Sequence, residues 1–199
     1  MAKYVKTEQG YIDMLSFAQT TANNAKSEAL DLAARMFGHT SVVDNAFRFD
    51  TTLSITSLPA CIESIGDCAF QGCTNLALTS LPNNITSIGI SAFQSCTGLA
   101  LTSLPYRLTS ISNFAFQGCT NLALTSLPSG ITSIGDCAFQ YCTNLTSITF
   151  TGTPTSIGSN AFSDCTNLTT INVPWAEGEV ANAPWGATNA TINYKYMGA

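Results

Sequence analysis

Charge is scarce in this chain, and histidine is nearly absent. Only 10% of the 199 residues are Asp, Glu, Lys or Arg, and His39 is the single histidine. Between Thr51 and Pro174 the charged side chains are Glu63, Asp67, Arg107, Asp136 and Asp164 alone, so Ser, Thr, Asn and Gln must cover the surface there. With a formal net charge of −5 and no basic stripe, nucleic acid is not an expected partner. No run of about 20 apolar residues is present, so no membrane-spanning helix is expected. Met1 to Gly10 holds Lys3, Lys6 and Glu8 without an apolar core, which is not the pattern of a secretory signal peptide. One histidine leaves no nucleophile and base pair, and neither a Gly-rich phosphate loop nor clustered carboxylates occur. Glu177 and Glu179 stand two apart around a glycine, as solvated carboxylates do. The expectation is a protein that is not an enzyme and that uses no cofactor.

What the chain does have is a period. An Ala-Phe pair recurs every 23 residues, placing Phe47, Phe70, Phe93, Phe116, Phe139 and Phe162 in one phase. A repeat of that length with Leu and Ile at fixed phases is the signature of a solenoid in which each unit adds one coil. Copies begin near Leu53, Leu76, Leu99, Leu122 and Leu145, with a partial copy over Val42 to Asp50 and a final one from Leu168. The apolar side chains of one coil, at about 2 kcal/mol each on full burial, do not offset the about 1 to 2 kcal/mol per residue needed to order its backbone. Stability must therefore come from contacts between coils, and both ends need covers.

Each phase predicts a local structure. The L-x-L-x-x-L stretch reads as a short inward-facing strand, building one parallel sheet with rungs about 4.8 Å apart. Pro59, Pro82, Pro105 and Pro128 cannot donate to a ladder and belong at the corner that ends it. Gly66, Gly89, Gly135 and Gly158 suit a second corner with positive φ, where Ser112 is the exception. The Ala-Phe pair fits a short helical or 3₁₀ turn. Two spacings are present: Leu53, Ile55, Leu58 in the early copies, and Leu145, Ile148, Phe150 or Leu168, Ile171, Val173 in the last two. They cannot share one simple pleat, so a bulge or shifted register is expected between the coils starting at Leu122 and Leu145.

Cys73, Cys96, Cys119, Cys142 and Cys165 occupy one phase, which predicts an internal column of thiols one rung apart. That separation is wider than the roughly 3.8 Å between Cβ atoms in a disulfide. They are read as free, buried, small apolar residues rather than metal ligands. Cys68 and Cys137 are expected to be partly exposed, and Cys61 to stand at a corner.

The ends differ from the repeat. Tyr11, Leu15, Ala18, Ala22, Ala25, Ala29, Leu32 and Met36 step by alternating four and three, a heptad seam that Gly38 stops. Residues 1–38 thus read either as a parallel coiled coil gathering chains into an oligomer, a trimer by preference, or as a helix folded back on the first coil. Residues 39–173 form the solenoid. Residues 174–199, with Trp175, Trp185, Tyr194 and Tyr196, are expected to cap the last coil.

Departures from a repeat are where recognition can be read. Tyr106, Arg107 and Phe114 replace small polar residues in one coil, and Tyr141 stands where Gly72 and Gly118 do. Tyr and Arg are enriched at binding hot spots, so these four are the candidate binding residues, against the alternative of drift in tolerant loops. Threonine and serine ladders such as Thr79, Ser80, Thr102, Ser103, Thr125 and Ser126 serve strand propensity and solubility, with ice or crystal binding as a remote alternative.

Segments such as Ser133-Ile134-Gly135-Asp136-Cys137-Ala138-Phe139 and Gly72-Cys73-Thr74-Asn75-Leu76 resemble the BspA-type leucine-rich repeat, over roughly residues 42 to 173. That resemblance implies a curved right-handed solenoid of the α/β leucine-rich repeat class, about six coils long, with a binding role and no catalytic residues. The tail from Val173 through Trp185 to Tyr194 is similar to those that close repeat arrays in phage and prophage proteins of gut bacteria. It implies a virion or extracellular protein, tail- or fibre-like, whose partner is a protein or glycan on a bacterial surface or another virion protein. The competing expectation is a bacterial interaction or adhesion module.

Overall fold

The computed structural model describes residues 38–196. The heptad residues from Tyr11 to Met36 lie outside them. The described chain is a parallel β-solenoid whose 23-residue register is direct. β1 (Ser41–Val42), β2 (Ser64–Ile65) and β3 (Ser87–Ile88) pair so that Ser41 faces Ser64 and Ser64 faces Ser87. β4 (Ser110–Ile111), β6 (Ser133–Ile134) and β8 (Ser156–Ile157) continue the same phase. A second face carries β5 (Ser126–Leu127), β7 (Ser147–Phe150), β9 (Thr170–Asn172) and β10 (Thr191–Asn193), in the order β10-β9-β7-β5. Among the described residues there is no helix, so the helical part of the expected α/β class is not found there.

The expected single sheet on the leucine stretch is corrected on two counts. The long ladder runs instead along the Ser-Ile pairs, and the leucine face forms strands only from Ser126 onward. The reason lies in the spacing. In L-x-x-L-x-L the last two apolar residues, Ile148 and Phe150, are two apart and alternate as a pleat requires, whereas L-x-L-x-x-L breaks alternation just before the proline; β5, in the last copy of that kind, is a strand because the regular β7 of the next coil pairs with it. Early coils are joined on that face by bonds such as those donated by the N–H of Ala77 to Ile55, of Ala100 to Leu78 and of Ala123 to Leu101, at 3.2, 3.1 and 3.0 Å. Thr79, Ser80, Thr102 and Ser103 therefore lie on no strand.

The proline corners are tight turns, as in the bond from Ile85 N–H to the Pro82 carbonyl at 3.2 Å. The glycines are needed for another reason than positive φ. A Cβ on Gly89 would lie 2.4 Å from Asp67 Oδ1 and 2.6 Å from Asp67 N in the preceding coil, so the position is held by close approach between coils. Positive φ occurs instead on both sides of the Phe: at Asn45, Cys68, Ser91, Phe114 and Cys137 before it, and at Phe49, Gly72, Ser95, Gly118, Tyr141 and Asp164 after it.

That pattern also replaces the expected 3₁₀ turn. Ala92 and Gln94 donate backward within their own coil to Gly89 and Ser91, while Ser91, Phe93 and Ser95 donate to Asn113, Ala115 and Gln117 of the next coil. Alternate N–H groups thus point along the stack, and a 3₁₀ helix, which needs consecutive i→i+3 bonds, cannot form.

Inside, the six phenylalanines make one stack, with ring centroids 5.3 to 5.5 Å apart and planes within 3 to 8°. The cysteine column lies beside it. Each thiol donates to the carbonyl of the preceding coil's Phe, from Cys73 to Phe47 at 2.9 Å through to Cys165 and Phe139 at 3.0 Å. Burial pushes the Cys96, Cys119 and Cys142 thiols well above their usual range, with neighbouring thiols adding to the effect. Cys165 is pushed up to about 12, chiefly by burial.

After Val173 the repeat does not stop. Trp185 falls 23 residues beyond Phe162 and is fully buried, its carbonyl accepting the Phe162 N–H at 2.9 Å. β10 extends the sheet beyond β9, so the expected cap is a degenerate seventh coil. Trp175 packs edge-on against Phe150 at 5.2 Å and closes the end of the core.

Candidate functional site

An open groove follows the Ser-Ile-Gly face, lined over the first coils by Ser41, Ser64, Ser87 and Ser110 with Gly66 and Gly89. Its continuation is lined by Ile90, Ser112, Asn113, Ser133 and Gly135. In the regular steps the coils are tied together along it. Gly66, Gly89, Gly135 and Gly158 donate their N–H to Val42, Ile65, Ile111 and Ile134 at 2.8 to 2.9 Å. Thr86, Thr132 and Thr155 donate to Glu63, Thr109 and Thr132 at 2.8 Å. At the outer edge an acidic or amide oxygen caps the next coil: Asp44 Oδ1 accepts from Asp67 N–H at 2.8 Å, Asp67 Oδ1 from Ile90 at 2.6 Å, and Asn113 Oδ1 from Asp136 at 2.9 Å.

One step is irregular. Ile90 stands where its neighbours carry Asp44, Asp67 and Asn113, and Ser112 stands where the coil above a carboxylate carries glycine. The two changes belong together, because the residue at Ser112's place lies directly over the residue at Ile90's place. Without the carboxylate there is room for a Cβ, and without its oxygen there is no cap. The ladder breaks between β3 and β4. In place of the backbone bond, the Ser112 hydroxyl donates to the Ile88 carbonyl at 2.7 Å.

The sequence candidates distribute around this step. Tyr106 (69% exposed) and Arg107 lie together at the proline corner that leads into β4, and half-buried Phe114 lies just past its end. Tyr141 is elsewhere, half-exposed on the turn face one coil further along, in the column of Phe49, Gly72 and Gly118. Phe114 and Tyr141 each hold a left-handed backbone position, so their side chains are carried by strained turns. Ile90, 47% exposed, was not legible as a candidate from its own copy. Comparing residues 22 apart, one per adjacent coil, would have paired it with Ser112.

The turn face carries a second ordered feature. Gln71, Gln94, Gln117 and Gln140 form a ladder in which each side-chain amide N–H donates to the next carbonyl oxygen, with Gln117 to Gln140 at 2.6 Å. Arg48 Nε donates into one end at 2.6 Å, and Asp164 accepts at the other at 3.2 Å. The Arg48 guanidinium also lies 4.8 Å from the Phe49 ring centroid. Among the described residues no cluster of three His, Cys, Asp or Glu is placed to hold a metal ion.

Compared with known proteins, the BspA type leucine rich repeat region matches in six copies over residues 40–169. No curated protein sequence matches the chain. Among solved structures, a leucine rich repeat protein of T. pallidum is 30% identical with a TM-score of 0.59, over 67% of this chain and 65% of its own. A leucine rich cell surface protein of Faecalibacterium prausnitzii A2-165 is 28% identical, with a TM-score of 0.47 over 67% of this chain. The chain spans 42% of that protein's length.

Proposed function

We propose that this chain, which belongs to the BspA-type leucine rich repeat family, is a non-catalytic recognition module for a protein or glycan on a bacterial surface. A solenoid of this family is suited to protein–protein interaction or adhesion. The observation that carries the reading is the continuous core, with the six stacked phenylalanines and Trp185 fully buried, which puts the groups available to a partner on outer faces and corners. The departures at Tyr106, Arg107 and Phe114 mark the coil where that partner docks.

The finer setting is a phage particle, in a tail- or fibre-like position, with residues 1–38 gathering chains into a trimer. Support comes from the heptad spacing and from the likeness of the tail to those closing phage and prophage arrays. A cellular adhesion module is the alternative. Mass spectrometry of purified particles separates the two, and the solution mass of the full chain tests the trimer.

The recognition reading is tested by adhesion of the purified full chain to bacterial cells. Replacing Tyr106, Arg107 and Phe114 together by Ser abolishes adhesion while leaving thermal unfolding cooperative. Adhesion at the original level in the folded variant rejects the patch.

A further inference from the structure

We infer that the hollow between the last two coils on the turn face, beyond the end of the glutamine ladder, binds one neutral pyranose unit of a glycan, held by Asp164 and the hydroxyl and amide groups around it. This goes beyond the recognition reading, which places a partner on the coil of Tyr106, and the two fail separately.

The hollow follows from the sequence. Glutamine holds one phase through four coils, at Gln71, Gln94, Gln117 and Gln140, and the next two coils carry Ser163 and Gly186 there. The shorter side chains leave the space that further glutamines would fill, a hollow of about 190 Å³ between residues 162–166 and 186–189. Gly186 stays bare because a Cβ there would lie 2.2 Å from Ser163 Oγ. Sites for drug-sized ligands start at about 300 Å³, so this one fits a single ring rather than a larger molecule.

The lining sets the chemistry. Phe162, Cys165 and Ala187 are buried and give an apolar floor. Asp164, Thr166, Thr188 and Asn189 stand around it, exposed. The Asp164 carboxylate accepts from Gln140 through Oδ2, while its Oδ1 makes no hydrogen bond among the described residues, nor do the side chains of Thr166, Thr188 and Asn189. Together these groups both donate and accept, which suits a ligand made of hydroxyls. An anion is repelled by Asp164, and a hard cation such as calcium, which takes several oxygens at once, finds a single carboxylate. A pyranose ring has a C–H face for the floor and hydroxyls for the rim. Tyr141 stands one rung earlier in the column of Asp164, half-exposed, with its N–H bonded to the Ser163 carbonyl at 3.0 Å, so one of the sequence candidates adjoins the rim.

The experiment titrates the ¹⁵N-labelled full chain with the methyl pyranosides of glucose, galactose, mannose, fucose and N-acetylglucosamine, and separately with calcium chloride. The expected result is selective movement of the Asp164, Thr166, Gly186, Thr188 and Asn189 amide signals by at least one pyranoside and not by calcium. Ser163→Gln continues the ladder of the four coils before it, fills the hollow and abolishes the response. Asp164→Asn keeps the size of the side chain but removes the charged acceptor, and weakens binding about ten-fold. Unchanged amide signals along the Ser-Ile face in both variants report an intact solenoid. No response at these amides to any pyranoside, a response to calcium in its place, or undiminished binding by either variant overturns the inference. The adhesion test of Tyr106, Arg107 and Phe114 keeps its own outcome whichever way this titration falls.

Discussion

Trp185 accepts the backbone N–H of Phe162 at 2.9 Å, standing where a seventh phenylalanine would continue the stack. Its own indole N–H donates to the Ala181 carbonyl at 2.7 Å, so the larger ring is buried without leaving its polar group unpaired. Trp185→Ala opens a cavity beside Phe150 and Phe162 and is expected to destabilise by about 3 to 5 kcal/mol. Trp185→Phe keeps most of the packing and costs much less. Urea unfolding of the two variants measures the difference.

Gly89 and Asp67 are expected to be energetically coupled as Ile90 and Ser112 are coupled by sequence. Gly89→Ser drives a Cβ into the Asp67 carboxylate and backbone, at a cost of about 1 to 3 kcal/mol. Asp67→Ile removes the obstructing oxygen, so the double variant loses less than the sum of the single ones. A double-mutant cycle by chemical denaturation gives a coupling on the order of 1 kcal/mol, and strict additivity would contradict the packing described for this corner.

The thiol column makes stability fall in alkali. Folded Cys96, Cys119, Cys142 and Cys165 hold their protons above the ordinary value of 9.0, to about 12 for Cys165, while the unfolded chain releases them from about pH 9. The native state then binds more protons than the unfolded one, so stability is full below pH 9 and is lost as pH rises toward 12. Cys142→Ala, though less stable at neutral pH, shows a shallower alkaline loss. Thermal unfolding between pH 7 and pH 11 reads both effects. At neutral pH, exposed Cys61 reacts with a thiol reagent at once and the column reacts only on unfolding.

The glutamine ladder is directional, and that direction is testable. Gln94→Glu can still accept from Gln71, but when ionised it has no hydrogen to give Gln117. The variant is expected to lose about 1 to 3 kcal/mol at pH 7 and to recover part of it once the carboxyl is protonated near pH 4. Melting curves of wild type and variant across that interval check the sign.

How much of this was legible follows from what translation along the stack does to each residue. The Phe and Cys columns could be read directly, because a residue repeated at one phase in a stacked core meets its own kind above and below. Corners were legible at the prolines for the same reason. The strands were misplaced because hydrogen bonding between coils depends on whether alternation survives up to the corner, as at Ile148 and Phe150, and not on leucine content. The Ala-Phe turn was misread because its N–H groups at Ser91, Phe93 and Ser95 are committed to the next coil, which a single copy does not reveal. Trp185 reads as part of a cap because its neighbours have lost the pattern; counting 23 from Phe162 recovers it. Tyr106, Arg107 and Phe114 stood out as departures, whereas Ile90 acquires meaning only beside Ser112.

The row from Arg48 to Asp164 has a head and a tail, with a positive donor at one and a negative acceptor at the other. Each carboxamide between them receives on one side and gives on the other, so any interior unit can be copied or excised and its former neighbours will still match. Lengthening by tandem duplication is therefore open to the gene anywhere between the two charged residues, while a unit fused outside them would meet a side chain that has already ended the row.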